Sequence, residues 1–293
     1  MAEEIPVASL IIDPYIPSGA GGLSVPTADR AELLQFPRLI TYSQIVARLQ
    51  WDATAIDLSA DARAWPGLPV QRRRRLTTLL AGFRVAEDAV AQHLTPFADV
   101  TEHVDTMMMW IFFLQRRDED RHAQFFDRVA AEVLGLPGDT PAERYAAARE
   151  HVPPALLALF EERLPALTAE LAAGETELVN GVALYHMTLE GAVFSAGQRA
   201  LLDDLADGAL PGIREGVEHV ELDERWHVGF GVRTLVKDGS ADVVADVPER
   251  AAEAAAGWGD VVPAETQEQT VALVRRRLSL AGAVEGAPRS NPA

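Results

Sequence analysis

The chain of 293 residues is 48% hydrophobic, enough for a substantial core, and carries a formal net charge of −18. That acidic surplus argues against nucleic acid or an anionic membrane surface as a partner, since both would be repelled. There is no cysteine, which excludes disulfides, thiolate nucleophiles, zinc fingers and iron–sulfur clusters and leaves oxygen and nitrogen as the available metal donors.

In chain order, "MAEEIPVASLII" places acidic rather than basic residues ahead of a short apolar patch, the wrong order for a secretory signal. No apolar run approaches the roughly 20 residues of a membrane helix. The expectation is a cytoplasmic protein with no integral membrane association. Residues 1–30 are dense in Pro and Gly and predict an irregular segment, 31–283 a helical domain, and 284–293 a flexible tail. Apolar residues at three- and four-residue spacing predict helices over 40–49, 71–98, 104–134, 141–149, 153–171, 176–205, 210–236, 244–256 and 264–281. They are separated by breakers such as "WPGLP", "LGLPGDTP", "HVPP", "GALPG" and "KDGSADVVADVP". Strand alternation is missing, so the fold expected is all-α, with 71–98, 104–134, 176–205 and 210–236 forming a four-helix core to which the other helices are added. The basic run "QRRRR" at 71–75 reads as a solvated helix face near a chain turn, with a phosphate-binding patch as the alternative.

The four long helices carry a repeated pattern. "DEDRHAQFF" places Glu119 three positions before His122, and "VELDERWHVGF" places Glu224 three before His227. A lone glutamate precedes each pair: Glu87 lies 32 positions ahead of Glu119, and Glu190 lies 34 ahead of Glu224. Residues three apart share a helix face, so each Glu-x-x-His pair can offer a carboxylate oxygen and an imidazole nitrogen to one ion. Two pairs and two single glutamates match the carboxylate-bridged dinuclear metal site of ferritin-like bundles. The charges agree: four buried carboxylates are intolerable alone, whereas two divalent cations neutralise them. The remaining histidines, His93, His103, His151, His186 and His219, have no glutamate three positions before them and read as packing or surface residues. Glu215, Glu218 and Glu221 read as a solvated or bundle-edge face.

Over residues 40–240 the order Glu, Glu-x-x-His, Glu, Glu-x-x-His resembles the ribonucleotide reductase small-subunit superfamily. The resemblance implies metal ligands Glu87, Glu119 and His122 on one side and Glu190, Glu224 and His227 on the other, with Glu119 bridging. A reductase subunit keeps a radical tyrosine four positions after the first motif histidine, where this chain has Phe126, and another in its C-terminal tail, whereas Tyr185 is the last tyrosine here. A second branch is more similar: the reductase-like ligand-binding oxidases, which hold a mixed manganese/iron centre and bind a long-chain fatty acid. Their valine–tyrosine ether crosslink corresponds to Val90, in "EDAV", and Tyr185, in "YHMTLE". Helical spacing puts Val90 on the face of Glu87; Tyr185 falls about 140° round an α-helix from Glu190, so its role rests on resemblance.

That resemblance implies O2 as oxidant, attack on the valine Cβ–H, a cofactor of Fe and Mn with di-iron as the alternative, a homodimer, and a place in lipid metabolism. Carboxylate-rich oxygen and nitrogen ligation suits iron or manganese better than copper or zinc. "MMMWIFFL" at 107–114 reads as core packing, with an acyl-chain tunnel as the functional alternative. Trp51, Trp110 and Trp226 read as core, or as electron carriers. Asp118, Asp120 and Asp223 are candidate acceptors for the ligating imidazoles, with surface charge as the equal alternative. Rival readings are a reductase subunit lacking the usual radical tyrosine, a ferritin-like storage protein or other di-iron oxygenase, and a metal-free helical binding protein.

Overall fold

The computed structural model describes residues 39–282, and among these every regular element is helical. The segment 1–30 and the tail 284–293 lie outside the described residues. The first elements in chain order are α1 (Leu39–Arg48), α2 (Ser59–Ala64), α3 (Val70–His93), α4 (Thr95–Thr101) and α5 (Thr106–Val129), the last extended by a π turn over Ala130–Leu134. Then come α6 (Pro141–Arg149) and α7, which runs over 154–173 through a π turn at Leu159–Arg163. Helix α8 spans 178–204, and α9 (Pro211–Asp238), α10 (Ala241–Ala256) and α11 (Ala264–Gly282) complete the order. The core bundle is α3, α5, α8 and α9, the four segments expected from the sequence.

Local chemistry sets several boundaries. The expected helix 71–98 divides at Leu94, because Pro96 has no N–H to continue the ladder and opens α4 instead. Helix α5 starts where Asp105 accepts from the backbone N–H groups of Met107 and Met108, both at 3.1 Å. Thr140 and Glu143 form a reciprocal capping box at α6. The stretch read as a breaker after Lys237 is only two residues wide: Ser240 caps α10 at Ala241, and Pro248 lies inside that helix. The short α2 has no counterpart among the helices expected from the sequence. Its buried Asp61 accepts from the N–H groups of Gly212 (3.0 Å) and Ile213 (2.8 Å), capping α9 from 151 and 152 residues away in sequence and fixing the start of the helix that carries Glu224 and His227.

The basic run is less solvated than expected. Arg72 pairs with Asp204 (2.6 Å) and Asp207 (2.7 Å), and Arg75 reaches Asp204 (3.0 Å) and the Val261 carbonyl (2.9 Å), so the start of α3 is fastened to the end of α8. Buried Arg84 joins α3 to α5 and α6 through Asp127 (3.2 Å) and the Pro141 carbonyl (3.0 Å). Close approach of α9 needs glycine at several positions: a Cβ at Gly216 would fall 2.1 Å from Phe125 Cζ, and one at Gly231 2.3 Å from His186 Cβ.

The middle of α8, Ala183–Phe194, is a π-helix of 12 residues, all of them buried. Helices α9, α10 and α11 pack around it. Thr188 Oγ1 (3.2 Å) and Ser195 Oγ (2.9 Å) each donate to the carbonyl five residues earlier. Such wide turns are rare and recur at functional sites. Among the described residues no helix is long and apolar enough to cross a membrane.

Candidate metal centre

Each core helix brings its sequence-predicted residue to one point: Glu87 from α3, Glu119 and His122 from α5, Glu190 from α8, Glu224 and His227 from α9. All six are buried. They form two overlapping groups, Glu87–Glu119–His122–Glu224 and Glu119–Glu190–Glu224–His227, with the donor atoms of each within 4.8 Å of one another. Glu119 and Glu224 belong to both. His122 Nδ1 lies 3.2 Å from Glu119 Oε2, 3.5 Å from Glu87 Oε2 and 3.7 Å from Glu224 Oε1. His227 Nδ1 lies 3.2 Å from Glu119 Oε1, 3.2 Å from Glu190 Oε1 and 3.7 Å from Glu224 Oε2. Each shared carboxylate therefore turns one oxygen to each group, a bridging arrangement. Only Glu119 was expected to bridge, and Glu224 has the same placement.

The cluster suits cations. Both oxygens of Glu87 and of Glu224, and Oε2 of Glu190, are buried and accept no hydrogen bond, a costly condition unless positive charge faces them. Without ions the cluster is left to hold protons. Burial pushes the Glu87 carboxyl up to about 8, with nearby Glu119 and Glu224 adding to the rise against the opposing effect of His122. Burial raises Glu190 and Glu224 too, reinforced for Glu190 by Glu224 and for Glu224 by Glu119. Burial also opposes charge on Glu119, but His227 and His122 outweigh it and hold that carboxyl low. For both imidazoles burial disfavours the cation, yet the surrounding carboxylates win and drive them well up. Two divalent ions would substitute for these protons.

Around the six lies a set of supporting groups. His122 Nε2 contacts Asp223 Oδ2 at 3.1 Å, and His227 Nε2 lies 3.6 Å from Asp118 Oδ2. Asp118 and Asp223 therefore take the positions expected of imidazole partners, whereas Asp120 is exposed on the far side of α5. Trp51 donates to Asp223 (2.8 Å) and Trp226 to Asp118 (3.1 Å); Trp110 is 50% exposed and stands outside this arrangement. Gln115 Nε2 donates to Glu190 Oε1 (2.8 Å), and its oxygen meets His186 Nε2 (3.1 Å). Burial pushes His186 down to about 3, leaving it neutral. Neither Gln115 nor His186 was singled out as a site residue, because no fixed spacing links them to the repeated motif.

Tyr185 is fully buried and its hydroxyl donates to Glu119 Oε1 at 2.9 Å. The α-helical angle of about 140° does not apply, since in a π-helix the hydrogen bonds join residues five apart and bring Tyr185 and Glu190 towards one face. Val90 is buried on α3, three residues after Glu87. Phe126 packs against Phe83 with ring centroids 5.1 Å apart. Of "MMMWIFFL", Met108, Ile111, Phe112 and Leu114 are buried, while Trp110 and Phe113 reach solvent.

An R2-like ligand-binding oxidase from Sulfolobus acidocaldarius superposes with a TM-score of 0.72 at 22% identity, covering 84% of this chain and 90% of that one. The chain has the fold of the R2-like ligand-binding oxidases. A valine-to-isoleucine variant of such an oxidase, with anaerobically reconstituted Mn/Fe cofactor, matches at a TM-score of 0.68 and 19% identity over 87% of this chain and 94% of that one. A tyrosine-to-phenylalanine variant with aerobically reconstituted Mn/Fe cofactor gives 0.66 and 19% over the same shares. No protein-family model matches the chain.

Proposed function

We propose that this protein is an O2-activating dinuclear manganese/iron oxidase that binds a long-chain fatty acid and joins Val90 to Tyr185 through an ether bond. The observation that carries the reading is the pair of buried Glu/His groups sharing Glu119 and Glu224, with the Tyr185 hydroxyl hydrogen-bonded to one of the shared residues. Glu87, Glu119, His122 and Glu224 would hold one ion, and Glu119, Glu190, Glu224 and His227 the other. The fold shared with Mn/Fe oxidases supports that metal pair. When bound, the pair supplies the redox chemistry that lets O2 act as oxidant on a strong C–H bond.

The protein's own contribution is positioning. Burial excludes water and keeps the Tyr185 hydroxyl protonated, reinforced by the charge of Glu119, until its hydrogen is removed. Crosslinking breaks the Val90 Cβ–H and Tyr185 O–H bonds and forms one C–O bond, with two electrons and two protons passing to O2. Half-buried Trp51, bonded to Asp223 and through it to His122, offers an electron route from the surface. The aromatic packing of Phe97 on Tyr185 and of Phe112 and Phe230 on His186 gives one side of the cluster an apolar character suited to an acyl chain. Cytoplasmic location and homodimerisation belong to the same reading.

Elemental analysis after aerobic loading with Fe and Mn should find about two metals per chain, and peptide mass spectrometry should find the Val90 and Tyr185 peptides joined with two hydrogens lost. Organic extraction should recover a long-chain fatty acid. A chain that binds no metal, or whose two peptides stay separate, overturns the reading.

A further inference from the structure

The two Glu-x-x-His motifs exchange their supporting aspartates. Asp118 directly precedes Glu119 but faces His227, while Asp223 directly precedes Glu224 but bonds His122. Each aspartate also receives one indole N–H, from Trp226 and Trp51 respectively. One side chain connects the two assemblies. Arg121 Nη2 lies 2.7 Å from Asp118 Oδ1 and 2.7 Å from Asp223 Oδ2, so a single guanidinium nitrogen serves both carboxylates. Its side chain is 10% exposed, its central guanidinium carbon lies over the Trp51 ring 5.1 Å from the centroid, and Nη1 donates to Gln50. The corresponding place in the second motif, two residues after Glu224, holds Trp226, so the repeat supplies the connection only once.

We propose that Arg121 is the positioning residue for both site histidines, acting through Asp118 and Asp223 so that the two halves of the metal centre are set as one unit. The physical basis is the strength and directionality of charge-assisted bonds in a buried setting. With both carboxylates held, the bond to Asp223 fixes the Nε2 edge of the His122 ring and the approach of Asp118 limits the His227 ring. Without the guanidinium, two adjacent buried carboxylates repel and each can turn to another donor. Arg121 lies outside both ligand groups, so its effect on metal passes through the aspartates. The inference rests on the metal-binding reading above for its ions, although the hydrogen-bond geometry itself needs none.

The test compares Arg121→Gln, Arg121→Lys, Asp118→Asn and Asp223→Asn in the full chain loaded with Mn and Fe. Metal content and the rate of release to a chelator are measured for each. Loss of an outer partner typically weakens metal affinity about 10–100-fold. The expected pattern is selective: Asp223→Asn weakens the ion at His122, Asp118→Asn the ion at His227, and Arg121→Gln weakens both by a similar factor. Arg121→Lys should restore both ions together in part, because one ammonium nitrogen can donate to two oxygens. Ring 15N–1H spectra of His122 and His227 in the metal-free protein provide a readout independent of loading, and both should change in Arg121→Gln. Wild-type release rates in Arg121→Gln, or loss of one ion alone, overturn the proposal. If Arg121→Gln does not fold, Arg121→Lys decides by whether its two release rates move together. Should the wild-type chain bind no metal, the functional reading fails while the ring spectra still decide the role of Arg121.

Discussion

The Tyr185 hydroxyl donates to Glu119 Oε1 across 2.9 Å, joining the π-helical part of α8 to α5 at a carboxylate shared by both halves of the cluster. This contact depends on the wide turn: α-helical winding would carry Tyr185 away from the face of Glu190. Tyr185→Phe keeps the ring packing on Phe97 and removes one buried hydrogen bond, a loss of about 1 kcal/mol in stability. Metal content should stay near that of the wild type, while the joined Val90–Tyr185 peptide should vanish from the mass spectrum. A joined peptide persisting at that position would contradict the assignment of the hydroxyl.

The protonation pattern predicts how the metal-free protein responds to pH. Glu87 is raised by burial from an ordinary 4.5 to about 8, and Glu190, Glu224, His122 and His227 are all shifted upward as well. A group whose folded value is raised contributes stability that is complete below its unfolded value and is lost as pH climbs through the folded one. Through Glu87 the metal-free chain should therefore lose stability as pH rises from about 4.5 to about 8, and the other raised groups act in the same direction. Glu119, held low, acts in the opposite direction: its contribution is lost as pH falls below the ordinary carboxyl value of 4.5. With metal bound the protons are displaced, so thermal melting of the loaded chain should fall much less over the same interval and metal uptake should release protons. Melting curves at several pH values, with and without Mn and Fe, check both statements.

The parts legible in the sequence are those written in local spacing. Glu119 and His122, or Glu224 and His227, sit three apart, and helical geometry alone puts each pair on one face. The lone Glu87 and Glu190 were found because the helical hairpin repeats at nearly constant offset. What stayed hidden depends on tertiary contact. Nothing in "ALYHMTLEGAVF" announces a π-helix, since burial on every side erases the amphipathic pattern. Gln115 became part of the site through a contact 75 residues away in sequence, and Arg121 through one 102 residues away. The "QRRRR" run reads as solvated because the acids that pair with it lie 129 to 135 residues downstream.

Asp61 supplies a prediction about the scaffold rather than the cluster. Its carboxylate takes both the Gly212 and the Ile213 N–H, two of the orphan donors at the start of α9. Asp61→Ala should lower unfolding stability by about 2–3 kcal/mol, because both donors are left buried without partners. Urea unfolding followed by circular dichroism measures this. The α9 N-terminus should also exchange its amide hydrogens faster, whereas those around Glu224 and His227, more than two helical turns further on, should change less.

Gly231 links packing to the site through a chain of named contacts. An added Cβ would lie 2.3 Å from His186 Cβ, too close without movement of α8 or α9. His186 holds the Gln115 oxygen at 3.1 Å, and Gln115 donates to Glu190 Oε1 at 2.8 Å, so displacement of His186 is passed to one carboxylate of the second group. Gly231→Ala should destabilise the chain by about 1–3 kcal/mol through overpacking. It should also weaken the ion held by Glu190 and His227 more than the one beside Glu87 and His122. Gly67→Ala is the control, since a Cβ there meets nothing within 4 Å, and should alter neither melting temperature nor metal content. Equal loss of both ions in Gly231→Ala would mean that the strain spreads through α9 as a whole rather than along the path from His186 through Gln115 to Glu190.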